Sequence, residues 1–214
     1  ISDKIFINHP YGVCYDYNII GMWQIADKQN GLIPDGFEYG TYKVEDVNND
    51  GKYTADKDRK IIGYSDPAYR FSIQNSFRYK NWEFKFMINS VQGGKNYYYG
   101  QPGKDLANPD NIYQNNLLNA RYRQLGYYTQ ALGYTFSPYV QRSFVRLQDV
   151  TLSYNVPASF LSKFKVNRLK LYVTGKNLLT FTDWDGWDPE TGTGLNTSKY
   201  PVMRSYSIGL NLEF

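Results

Sequence analysis

Apolar and polar side chains alternate with a period of two in five segments of this chain, a pattern typical of β-strands that have one apolar face. The first segment has apolar positions at Phe71, Ile73, Phe77 and Tyr79, and polar positions opposite them at Arg70, Ser72, Gln74, Ser76 and Arg78. After Lys80 and Asn81, the alternation resumes with Trp82, Phe84, Phe86 and Ile88 against Glu83, Lys85, Met87 and Asn89. Two such segments joined by so short a turn predict a tight hairpin.

Three more alternating segments lie in the C-terminal half of the chain. The first has Phe144, Val150, Leu152, Tyr154 and Val156 on one face, opposite Asp149, Thr151, Ser153 and Asn155. It stops at Pro157, and residues 158–164 are predicted to form a helical turn. The second alternates Leu169, Leu171 and Val173 with Lys170, Tyr172 and Thr174, up to about Thr180. The last alternates Tyr206, Ile208, Leu210, Leu212 and Phe214 with Ser205, Ser207, Gly209, Asn211 and Glu213.

The connections between these strands alternate in length. Those at 80–82 and 157–168 are short, whereas those at 93–141 and 183–201 are long and polar. Short turns on one side and long loops on the other are typical of outer-membrane barrels. Five or six strands cannot close around a lumen, and their open edges are untenable in lipid. The pattern therefore predicts an all-β chain that supplies about five or six strands of a larger transmembrane antiparallel β-barrel.

The predicted organisation follows these strands along the chain. It comprises an extracellular loop with an Asp/Asn-rich turn at 17–68, a hairpin at 69–92, a long extracellular loop at 93–141, a strand pair at 142–180, an extracellular loop at 181–202 and a terminal strand at 203–214. The chain begins at Ile1 without a Met or an apolar leader, so we expect it to start inside a longer polypeptide.

Composition narrows the class of protein. The 214 residues carry 24 Lys and Arg against 20 Asp and Glu, and this net charge of +4 is scattered, which argues against a nucleic-acid partner. One Cys excludes an internal disulfide, and one His excludes a multi-histidine zinc site. The 22 Tyr, 12 Phe and 4 Trp suit either a sugar-binding surface or the aromatic girdles of a barrel. With a mean hydropathy of −0.59, the chain has no apolar run of about 20 residues that would predict a transmembrane helix.

Several motifs, in a fixed order and spacing, resemble one family. They are YNIIGMWQ at 17–24, DVNNDGK at 46–52, IIG at 61–63, SFVRLQDVTLSY at 143–154, LKLYVTGKNL at 169–178, DPE at 188–190 and the segment 200–214. Together they resemble the C-terminal part of the SusC/RagA family of TonB-dependent outer-membrane transporters from Bacteroidetes, over nearly the whole chain.

This resemblance implies a 22-stranded barrel with an N-terminal plug that is absent from this sequence. It also implies a SusD-like surface lipoprotein as a lid, energy from TonB–ExbB–ExbD through the missing N-terminal part, and import of an oligosaccharide or peptide rather than enzymatic catalysis. The chain would lie in the cell outer membrane, in contact with the lipid bilayer and with a periplasmic C-terminus. The terminal alternation is similar to the barrel-insertion signal of outer-membrane proteins, here at Tyr206, Ile208, Leu210, Leu212 and Phe214.

A possible metal site lies in the Asp/Asn-rich turn. Asp46, Asn48 and Asp50 occupy positions 1, 3 and 5 of an EF-hand-type loop, followed by Gly51, and the carbonyl of Lys52 would supply position 7. Position 12, which should hold a carboxylate, is Lys57, with Asp56 and Asp58 on either side, and Asp56 is included among the candidate metal ligands. Two interpretations stay open: a structural Ca²⁺ site, or an Asp/Asn turn that needs no metal. No other cofactor is required.

Aromatic side chains in the predicted outer loops are candidates for contact with substrate or with the lid: Trp184, Trp187, Tyr97, Tyr98 and Tyr99. Stacking on sugar rings is the functional interpretation, and packing within the loops is the alternative. The polar positions of the strands should line the barrel interior: Glu83, Lys85, Thr151, Ser153, Asn211 and Glu213.

No catalytic constellation is evident. His9 is the sole imidazole and has no nucleophile motif near it, and Cys14 is interpreted as a packed residue. Asp188 and Glu190 lie two residues apart, with no further sign of a glycosidase dyad. The competing hypothesis is a secreted, Ca²⁺-stabilised β-sandwich that binds glycans. A sandwich would bury the apolar faces of its two sheets against each other, and it would not need such long loops on one side.

Overall fold

A computed structural model describes residues 5–97, 130–131, 134–136, 138–164, 166–184, 188–190 and 202–214. The strands are β1 (Val13–Tyr17), β2 (Ile19–Met22), β3 (Tyr42–Val44), β4 (Arg59–Tyr64), β5 (Pro67–Tyr79), β6 (Trp82–Gly93), β7 (Lys95–Tyr97), β8 (Gln130–Ala131), β9 (Tyr134–Thr135), β10 (Tyr139–Gln141), β11 (Phe144–Asn155), β12 (Arg168–Thr182) and β13 (Ser205–Glu213). The described helices are α1 (Ile25–Gln29) and α2 (Ala158–Leu161), which a 3₁₀ turn at Ser162–Phe164 continues. The all-β prediction is confirmed. Among the described residues, no helix is long and apolar enough to cross a membrane.

The chain divides into two compact units. The wall unit consists of Ala68–Gln92, Ser143–Asp183 and Pro201–Phe214. The loop unit consists of Ile1–Pro67, Gly93–Arg142 and Trp184–Tyr200.

The wall unit is built on one five-stranded sheet with the order β13-β12-β11-β6-β5. The pairs β6–β11, β11–β12 and β12–β13 are antiparallel. Lys80 adopts a φ of 53° in the turn between β5 and β6, a left-handed conformation that closes the predicted hairpin. The five strands are 9 to 15 residues long. A tilted strand needs about 9–11 residues to cross the apolar core of a bilayer, so each of them is long enough.

A β-bulge between Leu147 and Asp149 interrupts the alternation in β11. Leu147 pairs with Ile88 and Val150 pairs with Phe86, so Leu147 and Val150 share a face although they are three residues apart. Phe144 therefore lies on the opposite face, where it is buried. The prediction that Phe144 shares the face of Val150 is wrong, because the extra residue of the bulge shifts the period of two by one position.

One face of the sheet is apolar and exposed. Its large exposed side chains are Tyr69, Phe71, Ile73, Phe77, Tyr79, Trp82, Phe84, Leu152, Leu171, Val173, Leu179, Phe181, Tyr206, Ile208, Leu210, Leu212 and Phe214. A soluble domain rarely exposes so large a contiguous apolar surface, since it lowers solubility and promotes association.

The loop unit has a small aromatic core of its own. It consists of Tyr17, Trp23, Phe37, Val44 and Phe136, of which Phe136 is completely buried. The rings of Phe37 and Phe136 stack with their centroids 5.9 Å apart, and Tyr17 meets Phe136 edge-on at 5.1 Å. The pairs β1–β4 and β2–β3 supply part of this core. The predicted extracellular segment 17–68 is therefore itself folded.

Candidate functional site

The face of the wall sheet opposite the apolar one is polar, and its side chains interact across the strands. Lys85 pairs with Thr151, and Thr151 pairs in turn with Thr174. The hydroxyls of Thr151 and Thr174 lie 2.9 Å apart and share a hydrogen bond. In the next row, Glu83 pairs with Ser153. Among the residues predicted to line the interior, the structure brings these into neighbouring positions on the polar face.

Glu83 on this face forms ion pairs with three cations among the residues that the structure describes. Its side chain is 5% exposed, and it forms ion pairs with Arg78 at 2.8 Å, Lys85 at 3.2 Å and Lys170 at 2.7 Å. A carboxylate so nearly buried requires positive partners, because removing its hydration is costly. The sequence pattern placed Glu83 and Lys85 on the interior. The pattern does not predict the ion pair with Lys170, which lies 87 positions away in sequence.

Arg146 is a second buried charge on the polar side and was not predicted. It is 2% exposed, its Nε donates to Thr180 Oγ1 at 3.0 Å, and its guanidinium lies 4.8 Å from the ring centroid of Phe144. The bulge described above turns both Arg146 and Phe144 towards this side. The period of two alone contains no signal for this arrangement.

The predicted barrel-insertion residues lie on β13 and beside it, on the apolar face. Tyr206, Ile208 and Leu210 pair with Gly175, Val173 and Leu171 of β12. Tyr206, Ile208, Leu210, Leu212 and Phe214 are all exposed, from 43% for Leu212 to 86% for Ile208. The arrangement offers an apolar edge strand with its aromatic residues outward. Its role in barrel insertion stays a prediction.

The Asp/Asn-rich turn of the loop unit has several features of an EF-hand-type loop. Asp46 Oδ2 accepts a hydrogen bond from the Gly51 amide at 2.8 Å, and Asn48 Oδ1 accepts one from the Asp50 amide at 3.2 Å. Gly51 adopts a φ of 74°, which a residue with a Cβ rarely adopts. The other oxygen of Asp46, Oδ1, is buried without a hydrogen-bond partner. This is the oxygen that would be available to a cation.

Other contacts in the same turn oppose a metal. The Lys57 ammonium, at loop position 12, lies 3.3 Å from Asp50 Oδ2, and Asn48 Nδ2 donates to that oxygen at 2.8 Å. These hydrogen bonds hold the pKa of Asp50 below its usual range, with Asn48 making the largest contribution. Within the described residues, no group of three or more His, Cys, Asp or Glu is arranged to hold a metal ion. The geometry thus provides three oxygen-bearing side chains without the closing carboxylate.

Asp58 follows loop position 12 directly, and its carboxylate binds backbone amides of the turn instead of a metal ion. It is fully buried, and its carboxylate accepts hydrogen bonds from the amides of Val47 at 3.1 Å and Thr54 at 2.6 Å. Asp56 is exposed, and its pKa is lowered chiefly by a hydrogen bond from Thr54. The buried carboxylate is therefore one residue beyond the expected twelfth position.

A second ion pair anchors the start of this turn. Lys60 Nζ lies 2.6 Å from Glu45 Oε2, and Asn18 Nδ2 donates to the same oxygen at 2.6 Å. Together they lower the pKa of Glu45, with the contact from Lys60 as the main cause. The contacts tie the start of the turn to β4 and to the residue between β1 and β2.

The aromatic side chains proposed to contact substrate or the lid are placed only in part. Trp184 is 4% exposed, so its ring is covered in this structure. The backbone of Tyr97 pairs with Tyr139 in β7–β10. Trp187, Tyr98 and Tyr99 lie outside the described residues, and their assignment stays a prediction.

The residues considered for catalysis have structural contacts. His9 Nδ1 lies 3.0 Å from the hydroxyl of Tyr64, and both groups are exposed. Cys14 is buried, with its Sγ 3.9 Å from the carbonyl of Lys95. Asp188 is also buried and accepts a hydrogen bond from the amide of Glu190 at 2.9 Å. That bond folds the chain locally around the Asp188 carboxylate.

Comparison with known proteins shows that this chain is similar to part of several TonB-dependent receptors. The chain is 31% identical over 224 residues to the TonB-dependent receptor P3 of Formosa agariphila, covering 95% of this chain and 22% of that receptor. It is 26% identical over 178 residues to the TonB-dependent receptor SusC of Bacteroides thetaiotaomicron, covering 78% of this chain and 17% of SusC. The resemblance to the SusC/RagA family is confirmed. No family profile matches the chain.

The fold of this chain is also found in a solved structure. In the open-open state of the RagAB peptide importer, one chain superposes with a TM-score of 0.62 at 19% identity, over 98% of this chain and 24% of that one. The predicted resemblance to the barrel of TonB-dependent transporters is thereby confirmed at the level of the fold. The chain spans about a fifth of the length of the curated relatives it matches.

Proposed function

We propose that this chain forms part of the wall and outer loops of a TonB-dependent importer in the outer membrane. The observation that carries the proposal is the division of the wall sheet into an exposed apolar face and a polar face that bears its charges. In water the apolar face would be a liability, whereas in a bilayer it is matched to lipid. The family resemblance supports the same assignment.

The cargo is proposed to be an oligosaccharide or a peptide. The RagAB relative is described as a peptide importer, and SusC is a TonB-dependent receptor. A SusD-like surface lipoprotein is the proposed partner on the outer side, and TonB–ExbB–ExbD would supply energy through a part of the receptor outside this sequence. The C-terminus after β13 would then lie on the periplasmic side.

Uptake by the full-length receptor, expressed in an outer membrane, tests this function directly. We expect fluorescent oligosaccharides or peptides to enter cells only when the receptor is present and TonB is intact. A strain that carries the receptor but lacks TonB is the control, because passive leakage through a barrel would persist there. Uptake that does not depend on TonB, or a receptor recovered only in the soluble fraction, would contradict the proposal.

The secreted β-sandwich hypothesis is disfavoured by the exposure of the wall sheet. Within the described residues, Phe181, Tyr206 and Ile208 are 66%, 73% and 86% exposed. A sandwich would cover such side chains with its second sheet. If this protein binds a glycan, we propose that it does so as the cargo of the importer.

We also propose that the Asp/Asn-rich turn binds Ca²⁺ as a structural ion. Asp46 Oδ1, Asn48, Asp50 and the Lys52 carbonyl would supply oxygen ligands, and the cation would displace the ammonium of Lys57 from Asp50. The ion would order the turn and would take no part in transport chemistry.

Proteolysis of the full-length receptor with and without Ca²⁺ tests the metal proposal. We expect Ca²⁺ to slow cleavage within 46–58 and Mg²⁺ to do so less, because the flexible turn suits the larger ion. Lys57→Gln should strengthen the Ca²⁺ effect, and Asp46→Asn should abolish it. Equal cleavage rates in Ca²⁺ and in chelator would leave the turn as a metal-free Asp/Asn turn.

A further inference from the structure

Three cations surround the single carboxylate of Glu83 at one end of the polar face, beside the turn between β5 and β6. Arg78 and Lys85 contact its Oε1, whereas Lys170 contacts its Oε2. We call Glu83, Arg78, Lys85 and Lys170 the ion cluster. Its one carboxylate neutralises one positive charge, so the ion cluster keeps an excess of positive charge. The excess lies on the face of the wall that is turned away from the exposed apolar side chains.

The cations of this cluster are close enough to repel one another. Arg78 Nε and Lys85 Nζ lie 2.8 and 3.2 Å from the same oxygen, so they are no further apart than the sum of these distances. Repulsion at such separations is strong wherever solvent screening is incomplete. Water screens part of this repulsion, because the side chains of Arg78 and Lys85 are 76% and 42% exposed, whereas Lys170, at 22%, is screened less. A further negative charge here would therefore be stabilised.

A cavity of about 370 Å³ opens on this cluster. Its charged lining residues are Arg78, Lys85, Arg168, Lys170 and Glu83, that is, four positive groups and one negative. Glu213 pairs with Arg168 across β12–β13 and can neutralise at most that one cation. Even then, the positive groups outnumber the negative ones by two. The volume exceeds that of a small ion, so there is room for a group carried on a larger molecule.

We propose that this cavity is an oxyanion-binding site that takes a carboxylate, sulfate or phosphate group between Arg78, Lys85 and Lys170. Guanidinium and ammonium groups are the side chains that proteins use to bind such groups through charge-assisted hydrogen bonds. Glu83 acts as the positioning residue, because it holds the three cations at one point. All the residues that line the site belong to the wall unit. Binding of an oxyanion there is a property additional to the proposed transport function.

Lysine labelling in the purified full-length receptor tests this site. Pyridoxal phosphate carries both an oxyanion and an aldehyde, so it should dock and form an imine with Lys85 or Lys170, which borohydride then reduces to a stable amine. Mass spectrometry locates the label, and Lys163, an exposed lysine on the 3₁₀ turn, is the reference. We expect faster labelling at the cavity than at Lys163. Sulfate should slow it severalfold, whereas chloride at equal ionic strength should not.

A matched pair of variants separates the site from general charge effects. Arg78→Gln should remove the protection by sulfate, whereas Arg70→Gln, on the same strand and the same face, should leave it intact. Arg78 is 76% exposed, so its loss is compatible with a folded wall. Protection by chloride equal to that by sulfate, or protection that survives in Arg78→Gln, would overturn the proposal, as would labelling no faster than at Lys163.

Two competitors then distinguish the source of the oxyanion. A short glutamate peptide that protects better than free sulfate, when a glutamine peptide of equal length does not protect, would support a site for an acid group on a larger ligand. Protection by sulfate but not by the glutamate peptide would support a site for a free ion. Either result is independent of whether the receptor transports the peptide.

Discussion

The side chain of Tyr172 lies directly over Gly209, its partner across β12–β13. A Cβ added to Gly209 would collide with the Cζ and hydroxyl oxygen of the Tyr172 ring. A residue with a Cβ at position 209 would therefore have to displace the ring of its neighbour. Aromatic side chains that cover a glycine on the neighbouring strand are a recognised means of fixing the register of a sheet.

Gly209→Ala is expected to destabilise the wall, because the ring of Tyr172 must move or β13 must shift. An overpacking change of this kind costs about 1–3 kcal/mol. The free energy of unfolding of the full-length receptor in lipid vesicles, from urea titration, measures it. In a Tyr172→Ala background the same change should cost much less. An equal cost in both backgrounds would show that the ring is irrelevant.

A charge placed on the apolar face should be costly if this face meets lipid. Ile208→Arg, in the middle of β13, is expected to destabilise the receptor by about 2–4 kcal/mol, the range for Arg at the bilayer midplane. Ser207→Arg, the adjacent residue on the polar face, is the matched control and should cost little. The fraction of receptor that folds into vesicles at each urea concentration gives both values. If the two variants behave alike, the assignment of faces is wrong.

The aromatic core of the loop unit should depend on Phe37. Phe37→Ala removes the ring that stacks on Phe136 and is expected to cost about 3–5 kcal/mol. Tyr39→Ala, at a 42% exposed position nearby, should have a small effect. Protease sensitivity of residues 17–68 in the membrane-embedded receptor measures the loss. If both variants are cleaved at the same rate, the core does not stabilise this segment.

Acid should loosen the Asp/Asn-rich turn. The pKa values of Glu45 and Asp50 are lowered in the folded protein, so their contribution to stability is present above the ordinary carboxyl pKa of about 4 and is lost as the pH falls through the folded values. We therefore expect faster proteolysis within 46–58 as the pH drops from neutral to about 3. An acid-active protease with the denatured receptor as reference separates this change from the pH dependence of the enzyme.

The variant Asp50→Asn removes one of these two carboxylates. It should cleave faster than the native turn at neutral pH, and its rate should change less on acidification. A cleavage rate that depends on pH as strongly in this variant as in the native receptor would assign the acid response to other groups.

The strands of the wall could be predicted from the sequence because alternation is a local property. The polar residues on either side of Leu171 and Val173 predict that these two side chains share one apolar face of the sheet. Both are exposed on that face in the structure, as predicted. The bulge near Gln148 could not be predicted, since it is defined by pairing with two other strands. For that reason, alternation alone assigns Phe144 to the wrong face.

The candidate sites also divide into contacts that are local in sequence, which can be predicted, and contacts between distant residues, which cannot. The oxygens of Asp46, Asn48 and Asp50 follow from spacing within one turn, so their mutual contacts could be anticipated. The ion cluster joins Glu83 to Lys170, and the aromatic core joins Phe37 to Phe136. Contacts between residues so far apart in sequence are set by the order of strands in space, which alternation does not contain.

The one-sided placement of charge in β13 also affects how the strand can be assembled. A slip of one residue against β12 would turn Asn211 and Glu213 towards the side of Ile208 and Leu210, because successive side chains point to opposite faces. In a membrane that slip would turn the Asn211 amide and the Glu213 carboxylate towards lipid and draw apolar side chains into the polar interior. If the sheet lies in a bilayer, the lipid itself would therefore disfavour this misaligned register of β13.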